Sequence, residues 1–234
     1  MYGAENLSAI PGDVGASAVQ NIGAYGAEVK DLIAQIEAVD THTGDIRRFA
    51  PSECCYGYRD SKFKHEWKNR YVITYVTYRF SKVFKPRLDY GNIRSYLESE
   101  GIDHPTAVSL RNAIISIRNA KLPDPAKLGN AGSFFVNPVV PVAKYDSLCK
   151  EYPDMPHYFL GDDRVKIPAG WLIERCGWKG RSLGRVGVYE KQSLVLVNRG
   201  NASGEEIVAL CERIRSDVRN KFGIDIYPEV NIIR

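Results

Sequence analysis

Three stretches of this 234-residue chain place glycine and polar side chains where a plain fold would not need them. The first runs Ile10-Pro11-Gly12-Asp13-Val14-Gly15-Ala16-Ser17 and continues through Gln20-Asn21-Ile22-Gly23-Ala24-Tyr25-Gly26. Closely spaced glycines let backbone N–H groups approach a ligand, and a diphosphate suits such a concavity. The same pattern also builds ordinary turns. The second stretch, Tyr56-Gly57-Tyr58-Arg59-Asp60-Ser61, sets a guanidinium beside two phenols and a carboxylate. It can grip a carboxylate or phosphate bidentately, although from residue types alone it reads as a surface Arg–Asp pair at a strand end. The third, Gly129-Asn130-Ala131-Gly132-Ser133-Phe134-Phe135-Val136-Asn137-Pro138, offers a serine hydroxyl from a tight glycine turn. A hydroxyl so placed can donate a proton where its alkoxide is stabilised.

Hydrolytic chemistry has little support. No Gly-x-Ser-x-Gly elbow surrounds Ser133, and His42, His65, His104 and His157 read as surface or loop residues rather than members of a triad or metal pattern. Five cysteines, Cys54, Cys55, Cys149, Cys176 and Cys211, fit neither a disulfide framework nor zinc spacing, so free thiols and no metal are expected.

The elements that must hold these stretches are mixed. Arg70 to Phe80 is a β-branched and aromatic strand with apolar groups on both faces, which predicts an interior strand. Ile33 to Val39 and Ile46 to Phe49 flank the turn-rich Asp40–Asp45 and predict a hairpin. A helix is expected after Pro105, with Ala107, Leu110, Ile114 and Ile117 on one face, ended by Lys121-Leu122-Pro123-Asp124-Pro125. Gly170 to Glu174 reads as a helix stopped at Gly177, and Ser193 to Val197 as a buried strand. The clearest helix opens on a Ser203/Glu206 capping box, carries the stripe Ile207, Cys211, Ile214 and Val218, and stops at Gly223. Ile224 to Ile233 alternates as a closing strand, in which Glu229 reads as a polar-face residue. The fold class is α+β, with Pro123 and Pro125 as the domain boundary.

Hydrophobic residues make up 44% and charged residues 26% of the chain, the balance of a soluble globular protein, and no apolar run is long enough to span a bilayer. The N-terminus shows no secretory signal, so the cytoplasm is the expected compartment. A net charge of +4, spread along the chain, favours anionic small molecules over nucleic acid.

Eight strings, IPGDVGASAVQNIGAYG, CCYGYRDSKFK, KLPDP, GNAGSFFVNP, IPAGWLIE, GWKG, QSLVLVN and PEV, stand in the order in which they occur in the UDP-N-acetylenolpyruvoylglucosamine reductase (MurB) family, and the chain resembles that family from about Tyr2 onward. The Glu151 to Arg164 segment, with Tyr158, resembles the tyrosine-bearing loop of its type-one form. The resemblance implies a flavoprotein of peptidoglycan synthesis in which NADPH reduces FAD, and the reduced flavin then passes hydride to C3 of UDP-N-acetylglucosamine enolpyruvate. It matches Ser133 to the acid that protonates C2, and Arg59 and Glu229 to the pair that supports the enolate-like intermediate. Ile10, Pro11, Gly12, Ser17, Asn21, Gly23, Tyr25 and Gly26 match the FAD stretch. Tyr90 and Lys121 match positions near the diphosphate of substrate or NADPH, and Tyr58, Asn137, Tyr158, Lys179 and Gln192 match positions that hold the UDP-sugar.

The organisation implied is an FAD-binding domain over 1–122, a substrate domain over 123–222, and a last strand over 223–234 returning to the flavin side. The family begins with a further Gly-x-Gly-Ser-Asn segment around the FAD diphosphate, so a partial FAD-binding domain and an exposed apolar face are expected here. Three readings follow: a monomeric cytoplasmic reductase, a silent fragment that binds UDP-sugar without flavin, or an oxidase of the wider FAD-linked superfamily. Ser133, Arg59 and Glu229 argue against the last, since an alcohol oxidase has no enolate to protonate.

Overall fold

In the computed structural model, which describes residues 1–233, the turn-rich Asp40–Asp45 segment folds the chain back on itself and joins two antiparallel strands. It lies in the first of two compact units, Met1–Ala120 and Lys121–Arg234. The first unit contains helix α1 (Val14–Gln20), the short strands β1 (Gly23–Ala24) and β2 (Ala27–Glu28), strands β3 (Ile33–Asp40), β4 (Ile46–Phe49) and β5 (Tyr71–Tyr78), and helices α2 (Ile93–Ser99) and α3 (Ala107–Lys121). Strands β4, β3 and β5 form an antiparallel sheet in that order. One face packs on Ile33, Ile36, Ala38, Phe49, Cys54, Phe63 and the α1 residue Ala18.

Strand β5 lies at the edge of this sheet, not in its interior, and a bulge accounts for the apolar residues in both phases of its sequence. Tyr75 pairs with Glu37 while Ile73 pairs with Ala38, so Thr74 is an extra residue. The insertion shifts the phase of the alternation. Tyr71, Ile73, Val76 and Tyr78 pack on the core, whereas Val72 and Tyr75 are 57% and 70% exposed. Apolar residues thus occupy both faces of the sequence pattern without burial on both faces of the sheet. Helices α2 and α3 form a separate core through Ile93, Leu97, Leu110, Ala113, Ile114 and Ile117.

The second unit holds β6 (Gly129–Ser133), β7 (Val139–Pro141), α4 (Val142–Cys149), β8 (Tyr158–Phe159), β9 (Arg164–Lys166), α5 (Ala169–Arg175), β10 (Ser182–Leu183), β11 (Val186–Val188), β12 (Val195–Asn198) and α6 (Gly204–Phe222). Its sheets run β10-β11-β12-β6 and β7-β9-β8. Helix α6 starts where Ser203 Oγ accepts from the Glu206 N–H at 3.3 Å while the Glu206 carboxylate accepts from the Ser203 N–H at 2.9 Å. It stops at Gly223, whose φ of 60° is left-handed. Its buried stripe, Leu210, Cys211, Ile214, Val218 and Phe222, joins Leu172, Ile173, Trp178, Val186 and Val188 in one core.

The closing segment differs from the expected strand. Ile224 and Ile226 are buried and Asp225 and Tyr227 exposed, as alternation requires, but the ladder is reduced to one isolated bridge between Phe135 and Pro228. Proline has no N–H to donate, which limits further pairing. All five cysteines are free. Among the described residues no helix is long and apolar enough to cross a membrane, and no group of His, Cys, Asp and Glu is placed to hold a metal ion.

Candidate active site

Ser133 is the last residue of β6, not the tip of a glycine turn. Val195 pairs with Ser133 and Val197 with Asn130, so two residues, Ala131 and Gly132, stand opposite the single residue Leu196. This is a bulge, and Gly132 supplies its left-handed backbone at φ 69°. Past the bulge the Phe134 N–H donates to the Leu194 carbonyl at 2.7 Å, which ends the strand with the Ser133 side chain exposed.

Glu229 is brought to the same place through the backbone. Its N–H donates to the Phe134 carbonyl at 2.8 Å, and the Val136 N–H donates to the Tyr227 carbonyl at 3.0 Å. The half-buried Glu229 therefore sits beside the residue that follows Ser133. Its sequence position alone, on the polar side of a presumed strand, carried no such information.

Arg59 lies in the first unit, at left-handed φ 55° in a turn closed by two hydrogen bonds, Gly57 N–H to the Asp60 carbonyl at 3.0 Å and Asp60 N–H to the Gly57 carbonyl at 3.2 Å. A non-glycine residue in that region is held by its surroundings. Here the Lys64 ammonium donates to the Arg59 carbonyl at 3.0 Å, and the guanidinium donates to the Gly23 carbonyl and, at 3.5 Å, to the Asn21 carbonyl. Asp60 Oδ1 lies 2.7 Å from His65 Nε2, while the Arg59 guanidinium reaches inward to backbone carbonyls. The guanidinium carbon also stands 5.3 Å from the Tyr58 ring centroid.

The glycine-rich first stretch is a short helix followed by a hairpin rather than a continuous loop. Buried Asn21 is its pivot: its amide NH2 donates to the Gly57 carbonyl at 2.8 Å and the Glu28 carboxylate at 3.2 Å, and its oxygen accepts from the Lys30 N–H at 3.1 Å. Ser17 bonds to the Val14 carbonyl and, at 2.6 Å, to the Tyr78 hydroxyl. Both side chains thus build the segment, while Ile10, Pro11 and Gly12 leave backbone at or near the surface. Gly12 has φ 125° and open space around its α-carbon. Gly26, at φ 76°, lies against Tyr90, to which a β-carbon would come within 3.3 Å.

Arg118 of α3 is a candidate absent from the sequence-based set. Its Nε is buried without a hydrogen-bond partner, and burial lowers its pKa while the Tyr25 phenol, itself pushed up by burial, interacts with it. A partly buried cation with an unsatisfied donor is suited to an anion such as a phosphate or carboxylate. The signal available in sequence was weak: Arg118 adjoins the α3 stripe and lies three residues before Lys121, on the same face. This observation, with the open backbone at Gly12, fits an anionic nucleotide cofactor on the first unit.

The remaining residues, beginning with exposed Lys121 at the α3 terminus, fall in the second unit. Asn137 Oδ1 accepts the Ala169 N–H at 2.9 Å at the start of α5. Lys179 pairs with Glu174 at 2.9 Å, and Gln192 Oε1 accepts the Leu194 N–H at 3.3 Å. Tyr158 is 44% exposed, with Lys166 Nζ 5.1 Å from its ring centroid.

Residues 124–233 match the model of the UDP-N-acetylenolpyruvoylglucosamine reductase C-terminal domain. A UDP-N-acetylenolpyruvoylglucosamine reductase of Bacteroides fragilis is 54% identical over 99% of this chain and 69% of its own length. That of Paraburkholderia xenovorans is 50% identical over 98% and 67%. The crystal structure of the Thermus caldophilus enzyme superposes with a TM-score of 0.64 at 21% identity, over 98% of this chain and 64% of that one, which supports the mixed helix-and-sheet fold.

Proposed function

This chain belongs to the UDP-N-acetylenolpyruvoylglucosamine reductase family, oxidoreductases of peptidoglycan synthesis, and we propose that it reduces UDP-N-acetylglucosamine enolpyruvate to UDP-N-acetylmuramate with NADPH and FAD. The observation that carries the assignment to chemistry is the pairing of the bulge-set Ser133 segment with Glu229 through the Phe134 carbonyl. The chemistry that FAD supplies when bound is a two-electron relay, from NADPH to C3 of the enolpyruvyl group.

The roles of the chain's own groups follow from their chemistry. Hydride arrival at C3 drives negative charge onto C2 and its carboxylate, and a preorganised cation stabilises that charge best in a water-poor site. Arg59 supplies the cation, with its orientation set by the Gly23 and Asn21 carbonyls. The Ser133 hydroxyl donates the proton to C2, and Glu229 supports that transfer. Ile10, Pro11 and Gly12 offer backbone to FAD, on the segment built by Ser17, Asn21, Gly23, Tyr25 and Gly26. Tyr90 and Lys121 take phosphate oxygens, and Tyr58, Asn137, Tyr158, Lys179 and Gln192 hold the UDP-sugar. The same reading makes the protein a cytoplasmic monomer with no nucleic-acid or membrane partner.

The test is titration of the purified chain with FAD, followed by flavin absorbance, with NADPH and then UDP-N-acetylglucosamine enolpyruvate added in turn. The expected result is flavin uptake, bleaching by NADPH, and reoxidation that depends on the enolpyruvyl substrate. Failure to take up FAD, or reoxidation indifferent to the substrate, overturns the proposal.

A further inference from the structure

Strand β8 is held by aromatic contacts that none of the sequence motifs announced. It makes two register pairs with β9 and lies at the edge of its sheet, so the ladder alone fixes it weakly. On one side Tyr145 of α4 lies tilted against His157 with ring centroids 4.5 Å apart, and Phe159 closes the group at 5.8 Å from Tyr145 and 5.3 Å from His157, edge-on to both. The Tyr145 hydroxyl lies 3.1 Å from the His157 ring nitrogens, and His157 Nδ1 lies 3.1 Å from the carbonyl oxygen of buried Met155. A hydrogen bond with Cys149 one turn on pushes the Tyr145 phenol up to about 12. Side chains alternate along an extended segment. His157 and Phe159 turned toward Tyr145 therefore leave Tyr158 on the opposite side, where Lys166 stands over its ring.

We propose that Tyr145, His157 and Phe159 form a clasp that positions Tyr158 for the uridine diphosphate part of the substrate, acting through the β8–β9 hairpin without touching the ligand. The proposal rests on the reading of Tyr158 as a substrate residue. The clasp fixes which side of the hairpin Tyr158 occupies and removes freedom that binding would otherwise have to remove.

Calorimetric titration of UDP into the full chain, Tyr145→Ala, Tyr158→Ala and the double variant separates the two ideas. Loss of aromatic contacts of this kind is expected to weaken UDP binding about threefold to tenfold in Tyr145→Ala. In the Tyr158→Ala background the same substitution is expected to cost nothing more, because a positioning contact has nothing left to position. Tyr145→Phe, which keeps the rings, should retain most of the affinity. His157→Ala opens the clasp from the hairpin side and replaces Tyr145→Ala if that variant does not fold. Undiminished UDP affinity in Tyr145→Ala, or an additive loss in the double variant, overturns the clasp while leaving Tyr158 in the site. Unchanged affinity in Tyr158→Ala, or no UDP binding by the parent chain, overturns the reading of Tyr158 and this proposal with it.

Discussion

The guanidinium of Arg59 and the α-carbon of Gly23 occupy adjoining space: a β-carbon at Gly23 would come within 2.9 Å of Arg59 Nη1 and 2.8 Å of the Ala27 carbonyl oxygen. The absence of a side chain at Gly23 leaves room for both the guanidinium and the paired β2 backbone. Gly23→Ala is expected to push the guanidinium off its carbonyl partners, at a cost of about 1–3 kcal/mol by overpacking. Thermal melting reads the stability, and substrate-dependent flavin reoxidation reads the arginine; an unchanged rate would separate Arg59 placement from Gly23.

Ser133→Ala should leave flavin reduction by NADPH intact and slow reoxidation by the enolpyruvyl substrate about 10²–10⁴-fold, the range expected for a lost general acid. Stopped-flow absorbance resolves the two half-reactions. Equal slowing of both would count against the acid role.

Helix α6 depends on its first turn. Ser203→Ala removes the oxygen that accepts the Glu206 N–H and should cost about 1 kcal/mol, or about 2–4 °C in melting temperature. The pH dependence has a definite sign. The Ser203 N–H and the Arg185 guanidinium hold the Glu206 carboxyl below its ordinary value of 4.5, so its contribution is present above that value and is lost as pH falls through the lower folded-state value. Glu206→Gln should therefore narrow the melting-temperature difference from the parent as pH is lowered from 6 toward 3. A constant difference would show that the carboxyl titrates alike in the folded and unfolded chain.

The adjacent thiols Cys54 and Cys55 should behave oppositely. Burial pushes Cys54 up to about 11, and likewise Cys211, whereas Cys55 is exposed. Thiolate is the reactive form. Iodoacetamide at pH 8 should label Cys55 well before Cys54 or Cys211 in a time course read by peptide mass spectrometry; early labelling of Cys54 would mean that its surroundings open readily.

Much of the framework was legible because single residues fix it. The capping box at Ser203, the left-handed stops at Gly177 and Gly223 and the Asp40–Asp45 connection each act within a few positions of sequence. What was not legible came from pairing. Thr74 is an ordinary strand residue until β3 is set beside it, and only then does it become the extra residue that turns Val72 and Tyr75 outward. Pro228 likewise curtails a ladder whose other side lies at Phe135, far away in sequence. The site shows the same split. Residue types at Tyr58–Asp60 read as a surface Arg–Asp pair, because the inward path of Arg59 depends on Gly23 and Asn21, and Arg118 is distinguished by a buried nitrogen that no motif records.

The bulge at Gly132 makes chain length part of the chemistry. Asn130 stands opposite Val197 and Ser133 opposite Val195, with Ala131 and Gly132 both opposite Leu196, so removing one residue from this stretch would abolish the bulge and the left-handed step at Gly132 that leads into Ser133. Substitutions at Ala131 leave that count intact, whereas a three-nucleotide deletion in the encoding gene does not. Exchange at Ala131 therefore preserves the bulge, whereas exchange at left-handed Gly132 strains it and a one-residue deletion abolishes it.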